Sequence, residues 1–250
     1  MTRSAVLKTF SLLAAGCVLF ASTRAVASTI QFQGEGKAGI VEIRSNGFPG
    51  GVWTYAGELD WSWVGLPADG FTSSWIYTYC VGADNYLQNQ QGVTARPSDA
   101  LTTAGVTDAG AKVAWLIDTY APGIHASGTG TDAAALQVAI WEALYDNDRN
   151  LSTGRFQLLD ARDALVWIEA QSYLTALGFA NYSAVSATWL DTSAGQDQLV
   201  PTPIAEPASL LMLATGCLAA CAWRLARRSR WLEGAQSGSR QTSVSETRCA

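Results

Sequence analysis

The chain is sparing with ionisable and sulfur-bearing side chains. Of its 250 residues 15% are charged, one is histidine, five are cysteine and two are methionine. A hydrophobic share of 48% excludes an intrinsically disordered chain, because that much apolar surface collapses. Seven prolines and 23 glycines follow no three-residue period, which excludes a collagen-like rod. Five cysteines are too few for a disulfide framework, and one histidine among scattered acids gives no metal-ligand spacing. A net charge of −5 excludes the basic footprint of a nucleic-acid binder, and no cofactor motif is present. No internal repeat is found.

Both ends read as addresses. Residues 1–27 have the form of a secretory signal: Arg3 and Lys8, an apolar stretch from Phe10 to Ala21, and the small-residue site Ala25-Val26-Ala27. Leu13-Ala14-Ala15-Gly16-Cys17 offers a lipoprotein box as an alternative. At the other end, Ala208 to Ala222 carries no charge and is followed by Arg224, Arg227, Arg228 and Arg230, a stop-transfer pattern. Glu206-Pro207 stands just before it. Motif, apolar helix and arginine cluster over residues 204–230 resemble the PEP-CTERM sorting signal of Gram-negative bacteria that use exosortase. That resemblance implies transient inner-membrane anchoring, an exosortase-type partner, and delivery to the cell surface or extracellular matrix. An ordinary single-pass anchor is the alternative. A polar tail, 231–250, follows.

Residues 28–203 remain, the size of one domain. They hold seven basic and 18 acidic residues, a net charge of about −11 that the arginine-rich ends conceal. The first half has strand chemistry. Ile30–Phe32, Gly39–Ile43, Val52–Tyr55, Leu59–Val64 and Ser74–Val81 are aromatic and β-branched runs between turn residues. The second half has helical period. Val113, Leu116, Ile117 and Tyr120 mark a first helix, with Asp108 as its cap and Pro122-Gly123 as its stop. A second helix opens at Thr131 or Asp132, carries the stripe Leu136, Ile140, Leu144, and ends at Asp146-Asn147-Asp148. A third spans about Phe156 to Leu177, with Leu158, Leu165, Trp167 and Ile168 on its apolar side and Gly178 as C-cap. Ala184 to Leu190 returns to strand. The expected fold class is α+β: an antiparallel β sheet or sandwich with a segregated helical subdomain, plus the C-terminal transmembrane sorting helix.

Four of the five cysteines fall in the terminal segments, leaving Cys80 as the one thiol of the exported domain. A small buried hydrophobe at a strand end is one reading of it. Gln137 lies in Leu136-Gln137-Val138-Ala139-Ile140-Trp141, where helical spacing sets it beside Ile140 and Trp141. A carboxamide there needs partners if buried. Tyr79-Cys80-Val81-Gly82 and Gln137-Val138-Ala139-Ile140-Trp141, with Ala114-Trp115-Leu116 between them, resemble the thioester domain of bacterial surface adhesins. The resemblance covers about residues 75 to 146. It implies an internal Cys80–Gln137 thioester, formed with loss of ammonia, which a surface amine or hydroxyl would displace in a single-use acylation rather than enzymatic turnover. Tyr79, Trp115 and Trp141 are candidates to shield that bond. His125, expected in the Gly/Ser loop before the second helix, is a candidate base or a plain loop residue. The competing reading is a non-covalent structural or glycan-binding matrix protein with an inert Cys80.

Overall fold

A computed structural model of the chain describes residues 28–68, 70–182, 187–192 and 195–201. The signal segment 1–27, the sorting segment 204–230 with Glu206, Pro207, Arg227 and Arg228, and the tail 231–250 lie outside the described residues. The elements are β1 (Ser28–Arg44), β2 (Val52–Val64), β3 (Trp75–Cys80), β4 (Gln90–Pro97), α1 (Ala109–Ser127), α2 (Gly130–Tyr145), β5 (Gln157–Ala161), α3 (Leu165–Leu177), β6 (Thr188–Thr192) and β7 (Gln198–Val200). This is the expected α+β class. Among the described residues no helix is long and apolar enough to cross a membrane.

The strands form one antiparallel sheet in the order β2-β3-β7-β6-β4-β1-β5, and a further β1–β2 pairing closes six of them into a barrel. The two short runs expected before residue 44 are one 17-residue strand. Bulges between Phe32 and Gly34 and between Glu35 and Ala38 bend it without ending its pairing with β2. One edge of β1 therefore serves two partners: Ser28–Gln31 pair with β4, and Val41–Arg44 pair with β5. At the second bulge Gly57 has φ 140°, and a Cβ there would collide with the Lys37 carbonyl. Glycine is what lets β2 pass the bulge.

The helices pack on this barrel. Helix α2 lies against β1 and β2 on one side and against α1 and α3 on the others. Every residue from Ala133 to Leu144 is buried, so the expected single stripe is in fact a helix apolar nearly all round. It starts one turn-residue earlier than expected. Thr129 is the N-cap, its hydroxyl accepting from the Asp132 N–H while the Asp132 carboxylate accepts from the Thr129 N–H.

Three expected boundaries are corrected. Helix α1 does not stop at Pro122-Gly123 but continues to Ser127. The Lys37 ammonium donates to the carbonyls of Ile124 and His125, 2.6 Å each, and Ile124 is buried, so tertiary contacts hold the last turn beyond the proline. Asp108 sits at the N-cap position but in the left-handed region, φ 53°, and its side chain makes no capping bond. The expected third helix is divided: Gln157–Ala161 is strand β5 on β1, and α3 begins at Leu165. Its buried face is Val166, Ala170, Leu174 and Leu177; Leu165 and Ile168 are exposed. Gly178 does cap it, in right-handed rather than left-handed conformation.

Gly130, the first residue of α2, tests how tightly this helix is seated. A Cβ at Gly130 would stand 2.5 Å from the Ala38 carbonyl oxygen of β1. Glycine-to-alanine normally favours a helix by up to about 1 kcal/mol. Here Gly130→Ala should instead destabilise by about 1–3 kcal/mol through overpacking against backbone, read as a lowered denaturation midpoint with unchanged slope.

Candidate functional site

Strand β3 ends at Cys80, where its pairing with β2 has already stopped: the last register pair is Leu59 with Thr78. The Cys80 backbone on that edge would be left bare. Gln137, at the middle of α2 and fully buried, fills the gap. The Cys80 N–H donates to Gln137 Oε1 at 2.8 Å, and Gln137 Nε2 donates to the Cys80 carbonyl at 2.8 Å. The side-chain amide thus stands in for the peptide of a missing strand. Only a carboxamide both accepts and donates in this geometry, which accounts for glutamine rather than glutamate or an apolar residue at position 137.

The Cys80 sulfur faces other groups. Its thiol donates to Gln196 Oε1 at 3.0 Å, and Gln198 Nε2 lies 3.9 Å from the sulfur. Gln198 is the register partner of Cys80 across β3–β7. The Val81 N–H bonds to the Asp197 carbonyl at 2.9 Å, whereas both backbone groups of Cys80 turn toward Gln137. Cys80 and Gln198 are therefore a non-hydrogen-bonded pair, the antiparallel arrangement that brings facing side chains closest, at about 4.5 Å between Cα atoms. Gln198 is held rigidly. Its Oε1 accepts from the Thr78 hydroxyl at 2.7 Å, Thr78 in turn accepts from the Trp61 indole at 3.0 Å, and its Nε2 donates to the Gln196 carbonyl at 2.9 Å. Gln196 Nε2 bonds the Gly82 carbonyl, and Gln91 Nε2 donates to the Gln196 carbonyl at 3.1 Å. Thr78, Gln196 and Gln198 escaped the sequence reading. The signal for them was the alternation Gln196-Asp197-Gln198 entering a short apolar strand, which buries two amides on one face.

Burial pushes the Cys80 thiol up to about 12, against a smaller opposing pull from the Gln198 hydrogen bond. Cys80 lines a cavity of about 270 Å³ together with Gln196 and Trp141.

The remaining expected residues separate. Trp141 lines that cavity and is 2% exposed. Tyr79 is fully buried, but alternation along β3 turns it, with Tyr77, to the face opposite Thr78 and Cys80. Its hydroxyl donates to Glu58 Oε1 at 3.3 Å. Trp115 is half-buried on α1, edge-on to Tyr120 at 5.8 Å. His125 lies in the last turn of α1, not in a loop. It stacks on Tyr77, with centroids 3.9 Å apart, and its Nδ1 is 3.3 Å from Glu58 Oε2. It thus belongs with Tyr77 and Tyr79 on the far side of β3 from the sulfur. The Asp146 carboxylate ends α2 by accepting the N–H groups of Arg155 and Phe156, at 3.1 and 2.9 Å. Among the described residues no cluster of three or more His, Cys, Asp or Glu is arranged for a metal ion. Comparison of the chain with family models, curated proteins and solved structures finds no match.

Two outcomes follow from this geometry. Gln137→Leu, close in volume, strips two buried backbone groups of their partners and should cost about 2–5 kcal/mol, read by chemical denaturation. Second, an unfolded thiol ionises near pH 8.5 while the folded one keeps its proton to about 12. The folded state binds the extra proton in that window, so stability falls as pH rises through it, by about 1.4 kcal/mol per unit. Protein with a free Cys80 thiol should lose stability there relative to Cys80→Ala, in which every other titrating group is shared.

Proposed function

We infer that this is an exported domain that closes an internal thioester at Cys80 and uses it once to acylate a nucleophile on another surface. The observation that carries this reading is the setting of Cys80: one thiol walled by buried carboxamides, on a residue that lines a cavity. The thioester-domain resemblance around Cys80 and Gln137 supports the same chemistry. The secretory pattern of 1–27 and the PEP-CTERM-like pattern of 204–230 support export, sorting by an exosortase-type enzyme through the inner membrane, and display on the surface or matrix of a Gram-negative cell.

The geometry favours Gln198, rather than Gln137, as the acyl partner. Both polar atoms of the Gln137 amide are committed to the Cys80 backbone. Gln198 faces the sulfur directly across the strand pair, and the Thr78 hydroxyl already donates to its carbonyl oxygen. That hydroxyl is aimed where negative charge develops when sulfur adds to the carbonyl carbon. The C–S bond forms, the C–N bond breaks, and the thiol proton leaves on the nitrogen as ammonia. Gln198 Nε2 is the amide nitrogen beside the sulfur, so the proton has a short path. A thiol pushed up to about 12 is scarcely ionised at neutral pH, and fixed proximity offsets that handicap. Gln137 then acts as the positioning residue that fixes Cys80.

Intact-mass analysis tests this. Purified protein should be one ammonia lighter than its sequence, and Cys80→Ala and Gln198→Ala should each abolish the deficit. Methylamine should restore the mass, free one thiol and leave a methylamide that peptide mapping locates at Gln198. A methylamide at Gln137 or Gln196 would reassign the acyl partner. A full mass with one titratable thiol from the outset overturns the reading and leaves Cys80 an inert buried side chain.

A further inference from the structure

The cavity outside the Cys80 sulfur has a wall unlike the core behind it. Trp53 and Tyr55 alternate along β2 and so share a face; they are 48% and 56% exposed. Tyr86, 71% exposed, is braced edge-on against Phe48 at 5.3 Å. Large aromatic rings left open around a concavity mark a ligand site. Trp141 also lines the cavity, and its indole N–H is buried with no hydrogen-bond partner. An unpaired buried donor costs about 1–3 kcal/mol, which a bound acceptor oxygen would recover.

The donor inventory discriminates between ligands. An indole N–H only donates, and an ammonium also only donates, so a cationic amine cannot satisfy Trp141. A hydroxyl accepts and donates. Asn85 and Gln196, which also line the cavity, can do both toward neighbouring hydroxyls. Glu35 lines it too and accepts from hydroxyl or ammonium alike. Flat aromatic faces with a few amide partners suit the apolar face and polar rim of a sugar ring.

We propose that this cavity is a carbohydrate subsite and that the nucleophile taking the acyl group is a sugar hydroxyl. The binding step rests on the cavity alone; the covalent step rests on the thioester reading above. The hydroxyl oxygen adds to the acyl carbon, the C–S bond breaks, and the hydroxyl proton passes to sulfur. The products are an ester to the sugar and a free Cys80 thiol. Glu35 and the net charge of about −11 favour neutral sugars over uronic acids.

Protein that carries the ammonia deficit is incubated with neutral glucose-, galactose- and N-acetylglucosamine-based oligosaccharides, and in parallel with Nα-acetyl-lysine at equal concentration. Intact mass should record an oligosaccharide adduct that hydroxylamine removes. Trp141→Phe should lower the ratio of oligosaccharide rate to methylamine rate by about tenfold, equivalent to about 1.4 kcal/mol, and Tyr86→Ala, at an exposed site that leaves the core intact, should move it the same way. Adduct formation with Nα-acetyl-lysine alone overturns the proposal while leaving the thioester standing. If no deficit exists, the thioester fails by itself. The subsite is then read in Cys80→Ala by tryptophan fluorescence titration with the same sugars, and absence of binding by all of them overturns it.

Discussion

The amide of Gln137 against the peptide of Cys80 is the contact on which the arrangement depends. A strand whose neighbour parts from it must find partners for its bare N–H and C=O, because buried backbone groups without them are costly. β3 runs two residues beyond its last pair with β2, whose continuation from Gly57 to Val52 stays with β1, and the helix lying across the barrel supplies the missing peptide from a side chain. That pairing sets the depth and register of α2 on the sheet. It also fixes the orientation of Cys80, because a residue with its backbone turned to the helix must present its side chain to the β7 register partner. Sulfur and Gln198 therefore meet as a consequence of how strand and helix share one peptide.

Helix α2 buries polar groups in two different ways. Gln137 keeps full hydrogen bonding and remains neutral. Glu142 is equally buried, and burial first, then the Asp146 charge, pushes its carboxyl up to about 8. At neutral pH Glu142 is held largely protonated, so α2 crosses the domain with little charge. Small residues at Ala133, Ala134, Ala135, Ala139 and Ala143 let neighbours close on every side. A helix seated this closely can hold a side-chain amide still, a requirement if that amide is to orient a nucleophile.

The sequence made legible what depends on local order. The α2 span, its end at Asp146, the aromatic strands and the Cys80–Gln137 encounter follow from period, turn chemistry and motif. What escaped depends on distant partners. Nothing near Pro122 announces that Lys37, 87 positions away, will bond the carbonyl of Ile124. Phe156–Ala161 reads as helix until β1 offers an edge, and the pairing with Val41–Arg44 then outweighs local preference. The proximity of Gln137 to Cys80 is legible, but whether its amide meets sulfur or backbone depends on where β2 parts from β3. Gln196 and Gln198 lie 116 and 118 residues from Cys80, and only the barrel closure brings them to it.

Burial at Cys80 has opposed effects on the proposed chemistry. The environment that pushes the thiol upward disfavours a thiolate as nucleophile, and equally as leaving group. Opening the thioester therefore requires the sulfur to receive a proton as the C–S bond breaks. Any incoming O–H or N–H carries one, water included, so proton supply alone gives no selectivity. Selectivity must come from the cavity. An acceptor that spreads over Trp53, Tyr55 and Tyr86 and pairs the Trp141 indole excludes water from the acyl carbon while delivering its own proton. Water by itself gains nothing from the aromatic wall. In this reading the buried amides shelter the bond and the ring-lined mouth selects what breaks it, and both depend on β2 parting from β3 after the Leu59–Thr78 pair.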